Sequence, residues 1–339
     1  MAEKILIRLK DILREPFYFL IKEKYKQTLI KRSLKKEKTF KNMAKKIKCN
    51  ENVLYQFKKN SNRYVGSKTL KGLMKISDMP IKEIERGILS TKRGCSNRDV
   101  KIKLPIKSSK ELSLLIAKAL GDGSILSDWR FHYTNNQYNL IKEVIKAVEK
   151  SVGKTRFTLH KREKRRVYEI KFSPVIGFIL KMAGGVRGYK IDQRFEVPEW
   201  IRNGNKRIKS YFLRGIFDDE ATVNYTKKKH ARRIVFAMGK RIIYKNSMIK
   251  FMKQIKKLLA EFNIYAGKIK TQETYEDKII LRFGIYKKIN FENFLHNIGF
   301  THKRKCEILK TMISNYIDPH ISKKNILKVL VKSPRPLAI

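Results

Sequence analysis

The chain is 339 residues long and carries 80 Lys and Arg against 30 Asp and Glu, a formal net charge of +50. Self-repulsion on that scale is offset by a polyanionic partner, and the basic residues run through folded-looking segments instead of one amphipathic helix, which favours nucleic acid over a membrane surface. No apolar run approaches the roughly 20 residues of a membrane span, no secretory leader is evident, and Cys49, Cys95 and Cys306 are too far apart for a disulfide framework or zinc cluster.

In chain order, residues 1–35 read as a basic helical segment, with Ile5, Leu9, Ile12, Leu13, Phe17 and Leu20 at helical spacing and Pro16 as an interruption. Residues 36–90 hold four short helical faces: Phe40, Met43, Ala44 and Ile47; Val53, Leu54 and Phe57; Leu70, Leu73, Met74 and Ile76; and a helix opened by Pro80. The Cys49-Asn50 turn between the first two suits a small all-α, helix-turn-helix-like domain whose order looks like the Cro-repressor class, with Asn52, Tyr55, Gln56 and Lys59 on the DNA-contacting helix. The bland alternative is a packing module with a solvated basic surface. Residues 91–105, with Gly94, Pro105 and many charges, read as a linker.

From there the pattern repeats. Residues 106–205 open with an apolar helix ending at Gly121-Asp122, followed by a strand near Trp129–Tyr133, an amphipathic helix over 140–148, strands over 155–160 and 166–172, and a short helix leading into Gly184. Residues 206–315 open with a helix ending at Asp219-Glu220 and give a strand over 233–237, a helix over 248–262, a hairpin over 267–270 and 278–283, and a helix ending at Gly299. Both halves contain Leu-x3-Gly-x5-Lys, as Leu180, Gly184 and Lys190, then Leu295, Gly299 and Lys305. Residues 316–339 read as a basic tail. Gly184–Lys190 lacks the ending of a phosphate-binding loop, so nucleotide hydrolysis is not supported.

The two helix ends carry the chemistry. Ala117 and Gly215 allow close helix approach, and the acids that follow leave the C-terminal tips, where the helix dipole and mutual repulsion penalise ionisation unless a divalent cation is present. Oxygen-only ligands with spare coordination positions suit Mg²⁺ and phosphodiester hydrolysis. Two core helices without chemistry is the competing reading.

Leu115-Ile-Ala-Lys-Ala-Leu-Gly-Asp-Gly123 and Leu213-Arg-Gly-Ile-Phe-Asp-Asp-Glu-Ala221 resemble the two motifs of single-chain LAGLIDADG homing endonucleases. Two positions depart from the pattern: Asp219 stands where the family prefers a small residue, and Ala221 replaces the final Gly. The resemblance implies an α+β fold of two pseudo-symmetric αββαββα repeats, whose antiparallel sheets form a saddle on double-stranded DNA, acting as a monomeric pseudo-dimer. It implies Asp122 and Glu220 as catalytic metal ligands, helped by Gly121 and Asp219, with Lys190 and Lys305 as catalytic basic groups and Mg²⁺ or another divalent cation as cofactor. DNA contacts are expected from Arg130, His132, Arg156, Thr158, His160, Arg166 and Lys171 in the first repeat and Arg233, Lys268, Lys270 and Arg282 in the second. A DNA-binding regulator without catalysis, and an intron-RNA maturase, are the alternatives. A cytoplasmic protein is expected; the Met1 start and absence of splicing blocks lean away from an intein.

Overall fold

The computed structural model describes residues 4–94, 98–163, 166–226, 231–273 and 277–316. The N-terminal part runs β1 (Ile5–Ile7), α1 (Leu9–Ile12), β2 (Phe17–Ile21), α2 (Glu23–Glu37), α3 (Phe40–Ile47), α4 (Glu51–Lys59), β3 (Val65–Gly66), α5 (Ser67–Ser77), α6 (Ile81–Gly87), β4 (Ile88–Arg93), β5 (Val100–Ile102) and β6 (Ile106–Lys107). Next come α7 (Lys110–Leu120), β7 (Gly123–Ile125), β8 (Phe131–Asn135), α8 (Tyr138–Ser151), β9 (Gly153–Thr155), β10 (Thr158–Arg162), β11 (Val167–Lys171), α9 (Pro174–Met182), a 3₁₀ turn at Lys190–Asp192 and α10 (Glu199–Arg202). The last part is α11 (Lys206–Glu220), β12 (Ala221–Thr226), β13 (Ala231–Arg241), α12 (Lys245–Ala260), β14 (Lys270–Glu273), β15 (Lys278–Ile285), α13 (Lys288–Asn297) and α14 (Lys303–Ser314).

The internal repeat is a structural one. Sheet order β10-β11-β8-β7 in the first repeat and β14-β15-β13-β12 in the second is the same antiparallel arrangement, with a helix after the second strand and another after the fourth. Alternation sets the faces. Tyr133 pairs with Ile170, and Phe236 with Phe283, on the buried faces, while the neighbouring positions open away from the helices. The opening helices α7 and α11 pack side by side in the same direction. Ala117 meets Gly215 so tightly that a Cβ added at Gly215 would stand 2.8 Å from that of Ala117, so only glycine permits this approach. The helical faces Leu112, Leu115 and Ile116 of α7 and Phe212, Leu213 and Ile216 of α11 are fully buried, each side chain contributing ~1.5–3 kcal/mol.

The N-terminal part differs from the sequence expectation. The segment expected to be helical over 1–35 holds α1 and most of α2 but also two short strands, β1 and β2, the second because Phe17, Phe19 and Ile21 bury at a period of two. The helices expected over 36–90 are present, but α5 packs on β2 and β3, which with β4 belong to the same unit, so this unit is not all-α. Residues 91–105 are not a free linker: β4 and β5 belong to a five-stranded sheet, β3-β2-β4-β5-β9, whose last strand comes from the first repeat. Three-residue strands offer too little alternation to be seen without their partners. The expected tail lies outside the described residues from 317 onward.

Candidate active site at the ends of the two motif helices

Both motif acids leave their helices at the crossing. Gly121 caps α7, and a Cβ there would stand 2.6 Å from Asp219 Oδ2, so the glycine makes room for the acid of the other helix. Across this junction Asp122 lies near enough to Glu220 to raise the pKa of the Glu220 carboxyl. Asn135 donates from Nδ2 to Asp122 Oδ2 at 3.0 Å and fixes its orientation.

The lysines found by the repeated spacing converge on the same place. Lys190 Nζ donates to the carbonyls of Leu120, Gly121 and Gly123, closing the C-terminus of α7, the first and last at 3.1 and 2.8 Å. Lys305 Nζ does the same at the end of α11, with the carbonyls of Phe217 and Asp218. An ammonium there satisfies orphan carbonyls and opposes the negative end of the dipole. Burial pushes both lysines below their ordinary pKa, while the acids pull the other way.

The pair is supported differently in the two halves. Lys240 at the end of β13, itself almost fully buried, donates to the carbonyls of Lys190 and Gln193, and Arg241 binds Asp192 at 2.5 Å. The second repeat thus clamps the turn that carries the lysine of the first. Lys305 instead sits in the first turn of α14, and Asp218 accepts the Thr301 and His302 N–H groups at 3.3 and 2.9 Å to hold that turn.

A further charge lies beneath. Lys118 of α7 is fully buried and donates to Asp219 Oδ1 at 2.7 Å, with Asp218 3.9 Å away. Tyr133 OH also donates to Asp219 Oδ1 at 2.8 Å, and Asp122 N–H to its Oδ2 at 3.1 Å. Burial alone would lower the Lys118 pKa, but Asp219 and Asp218 overcome it and raise it. Asp219 is therefore committed to three donors and is not a free metal ligand. The sequence pointed to Asp219 as unusual but missed Lys118, whose place in an apolar helix is the signal that it needs a buried acid.

The remaining carboxylates suit a hard cation. Mg²⁺ is commonly held by one or two carboxylates, with water and phosphate completing its shell. Among the described residues no cluster of three or more His, Cys, Asp or Glu forms a closed metal site. Burial first, with the neighbouring acids adding to it, pushes Asp122 up to about 6 and Glu220 up to about 8, although Lys190 and Lys305 pull both down. Their ordinary values are 3.8 and 4.5, so between those and the raised values the folded chain holds more protons than the unfolded one. The expected result is stability that falls as pH rises from about 4.5 to 8 without metal. Urea midpoints against pH should show a shallower fall for Glu220→Gln, and Mg²⁺ should flatten the parent curve; equal slopes would contradict the raised carboxyls.

The open sheet faces hold most of the expected DNA contacts. In the first repeat Thr158 pairs with Lys171 and Lys171 with His132, with His160 along the same face. His132 Nε2 is buried there without a hydrogen-bond partner. Arg162, not anticipated, joins this face and binds Glu169 at 2.6 Å, beside Lys171 at 3.1 Å. Three expected residues fall off the strands: Arg156 lies between β9 and β10, Arg166 in the turn before β11, and Arg130 before β8, where it binds Asp128 at 2.6 Å. In the second repeat Arg233, Arg282 and Lys270 share the open face, Lys270 opposite Arg282, and Lys268 is exposed just before β14.

Residues 207–299 match the LAGLIDADG-like domain family. The chain is 34% identical over 86 residues to the replication factor C small subunit of Methanocaldococcus jannaschii, covering 25% of this chain and 5% of that protein. It is 26% identical over 248 residues to the DNA-directed RNA polymerase subunit Rpo1N of the same organism, covering 64% and 18%, and 25% identical over 150 residues to its tRNA-splicing ligase RtcB, covering 44% and 15%. The chain thus spans less than a fifth of each of these relatives. Among solved structures, the homing endonuclease I-DmoI in complex with DNA and Mn gives a TM-score of 0.38 at 17% identity over 56% of this chain and 96% of that one. Full-length DUF199/WhiA from Thermatoga maritima gives 0.39 at 16% identity over 66% and 67%. Residues 207–299 thus form a LAGLIDADG-like domain, and the same sheet order and opening helix are repeated ahead of it.

Proposed function

We propose that this chain is a divalent-metal-dependent endonuclease that cuts both strands of duplex DNA at the crossing of α7 and α11. The observation that carries the reading is the meeting of Asp122 and Glu220 at two helix ends, each flanked by a lysine, Lys190 or Lys305, between two sheets whose open faces are basic. Asp122 and Glu220 would hold the cation, which when bound supplies a polarised phosphate and a water of lowered pKa. Lys190 and Lys305 place positive charge beside the same helix ends, where negative charge would build on the phosphate oxygens during attack. His132, Thr158, His160, Lys171, Arg233, Lys270 and Arg282 lie along the strands, where Arg and Lys grip phosphates or guanine edges.

The similar proteins add a separate support. A replication factor C subunit, an RNA polymerase subunit and a tRNA-splicing ligase carry unlike names, yet each matches this chain over a small part of its length, as a module inserted into unrelated proteins would. A module of that kind fits a sequence-specific DNA cutter that promotes its own insertion. A second reading, a DNA-binding regulator, is favoured by Lys118, which neutralises Asp219 internally without any metal.

The test is incubation of the full chain with a supercoiled plasmid library carrying randomised inserts, with Mg²⁺ or with EDTA. Linear product only with Mg²⁺ supports the nuclease; retained plasmid without a cut supports the regulator. The uneven lysine supports predict a strand bias. Lys240→Met should slow cutting of one strand about tenfold or more, so nicked circles accumulate, while Lys240→Arg recovers linear product. Equal slowing of both strands would show that Lys240 only stabilises the fold.

A further inference from the structure

The N-terminal part carries basic surface that the two sheets do not use. Helix α3 ends in a left-handed Lys48, with φ 58° and ψ 54°, and Asn50 then caps α4 by accepting the Asn52 N–H at 2.8 Å. Leu54 and Phe57 bury one side of α4, leaving Asn52, Tyr55, Gln56 and Lys59 exposed on the other. Beside α4, and lined in part by its Val53, runs a groove of about 770 Å³. Arg14, Arg63, Lys68 and Lys71 line it from four separate places in the chain, all exposed, with Tyr18 between them. Glu15 is the acid among its lining residues, and among the described residues none of the four cations has a carboxylate partner. Convergence of unpaired cations from different elements beside an exposed polar helix fits a phosphate backbone, because a protein face of that charge is relieved only by an anion.

This surface is held rigidly. Strand β5 bridges the two parts, pairing Thr91 with Val100 on one side and Val100, Lys101 and Ile102 with Thr155, Lys154 and Gly153 on the other. Gly153 sits at φ +142°, and a Cβ there would stand 2.0 Å from the Lys101 carbonyl oxygen, so the two backbones are in contact. Phe178 of the first repeat packs against Phe17 with ring centroids 5.3 Å apart, and Arg93 donates to the Asp128 carbonyl at 3.0 Å. These attachments lie toward Ile125 and Phe131, the end of the first sheet away from Asp122.

We infer that the N-terminal part is a second duplex-binding surface, welded to the outer end of the first repeat, whose Arg14, Arg63, Lys68 and Lys71 grip phosphates flanking that half of the site. The inference rests on the duplex partner of the proposed function and not on its chemistry. Because the weld holds the groove at one end, contact extends on one flank only, and binding it costs little extra ordering.

The test measures binding of the full chain to duplex DNA in EDTA, where no cutting occurs. Two lengths are compared, one that covers only the sheets and one longer by about one helical turn. The double variant Arg63→Ala/Lys71→Ala should lower the slope of log affinity against log salt by about two on the longer duplex and leave the shorter unchanged. Hydroxyl-radical protection should shorten at one end only. Lys253→Ala/Lys257→Ala, on the exposed side of α12 behind the second sheet, controls for net charge, and thermal melting controls for folding. An equal slope change in both variants, or protection lost at both ends, overturns the inference. A chain that binds this way and never cuts overturns the nuclease alone, and one that cuts without the extended contact overturns only this surface.

Discussion

Asp122→Asn should bind duplex DNA as tightly as the parent chain and cut it at least about a hundredfold more slowly. The amide keeps the size and planarity of the carboxyl, and its oxygen can still accept the Asn135 Nδ2 hydrogen bond seen at 3.0 Å, so the local structure has no reason to move. What it loses is the negative charge that attracts a cation. Binding has nothing to lose, because removing an acid from a surface facing a polyanion relieves repulsion. Single-turnover cleavage and equilibrium binding on the same duplex separate the two effects. An Asp122→Asn chain that cuts at the parent rate would remove Asp122 from the chemistry and with it the helix-end site.

Lys118→Met should destabilise the protein by about 3–5 kcal/mol, more than any single substitution on the open faces. Methionine fills the space of the lysine stem but leaves Asp219 buried opposite an apolar group, with only Tyr133 and the Asp122 N–H as donors. Much of that cost is the orphaned carboxylate and not the missing lysine. Adding Asp219→Asn should therefore recover about half of it, because the amide needs no counter-charge. Urea unfolding of the three chains measures both steps. If Lys118→Met unfolds at the parent midpoint, the pair is not a buried charge pair and the helix crossing is held by Ala117 and Gly215 alone.

These outcomes divide along what each residue's neighbours in sequence can reveal. The repeated helix, hairpin, helix and Gly-x5-Lys pattern was readable because each element is long enough to show its period, so the α+β repeats follow from local rules, whereas the expectation that Lys190 and Lys305 stand near the motif acids came from the family resemblance. The same reading placed Thr158 and His160 on one side of a strand, since alternation in a strand is local, while the pairing that adds Lys171 and His132 to that face is seen only in the sheet. It went astray at Arg156 and Lys268, where strands begin later than propensity suggests.

The amino-acid sequence by itself determined two acid-tipped helices with small residues for close packing, and the charge that calls for a polyanion. Only the tertiary structure decided that Asp219 is spent on Lys118, Tyr133 and a main-chain N–H, that Lys240 of one repeat holds the lysine of the other, and that the supposed linker is a strand joining the N-terminal part to the first repeat. The physical reason is distance along the chain. A hydrogen bond or strand pair between residues far apart leaves no period in either segment, so it becomes visible only when the partners stand side by side.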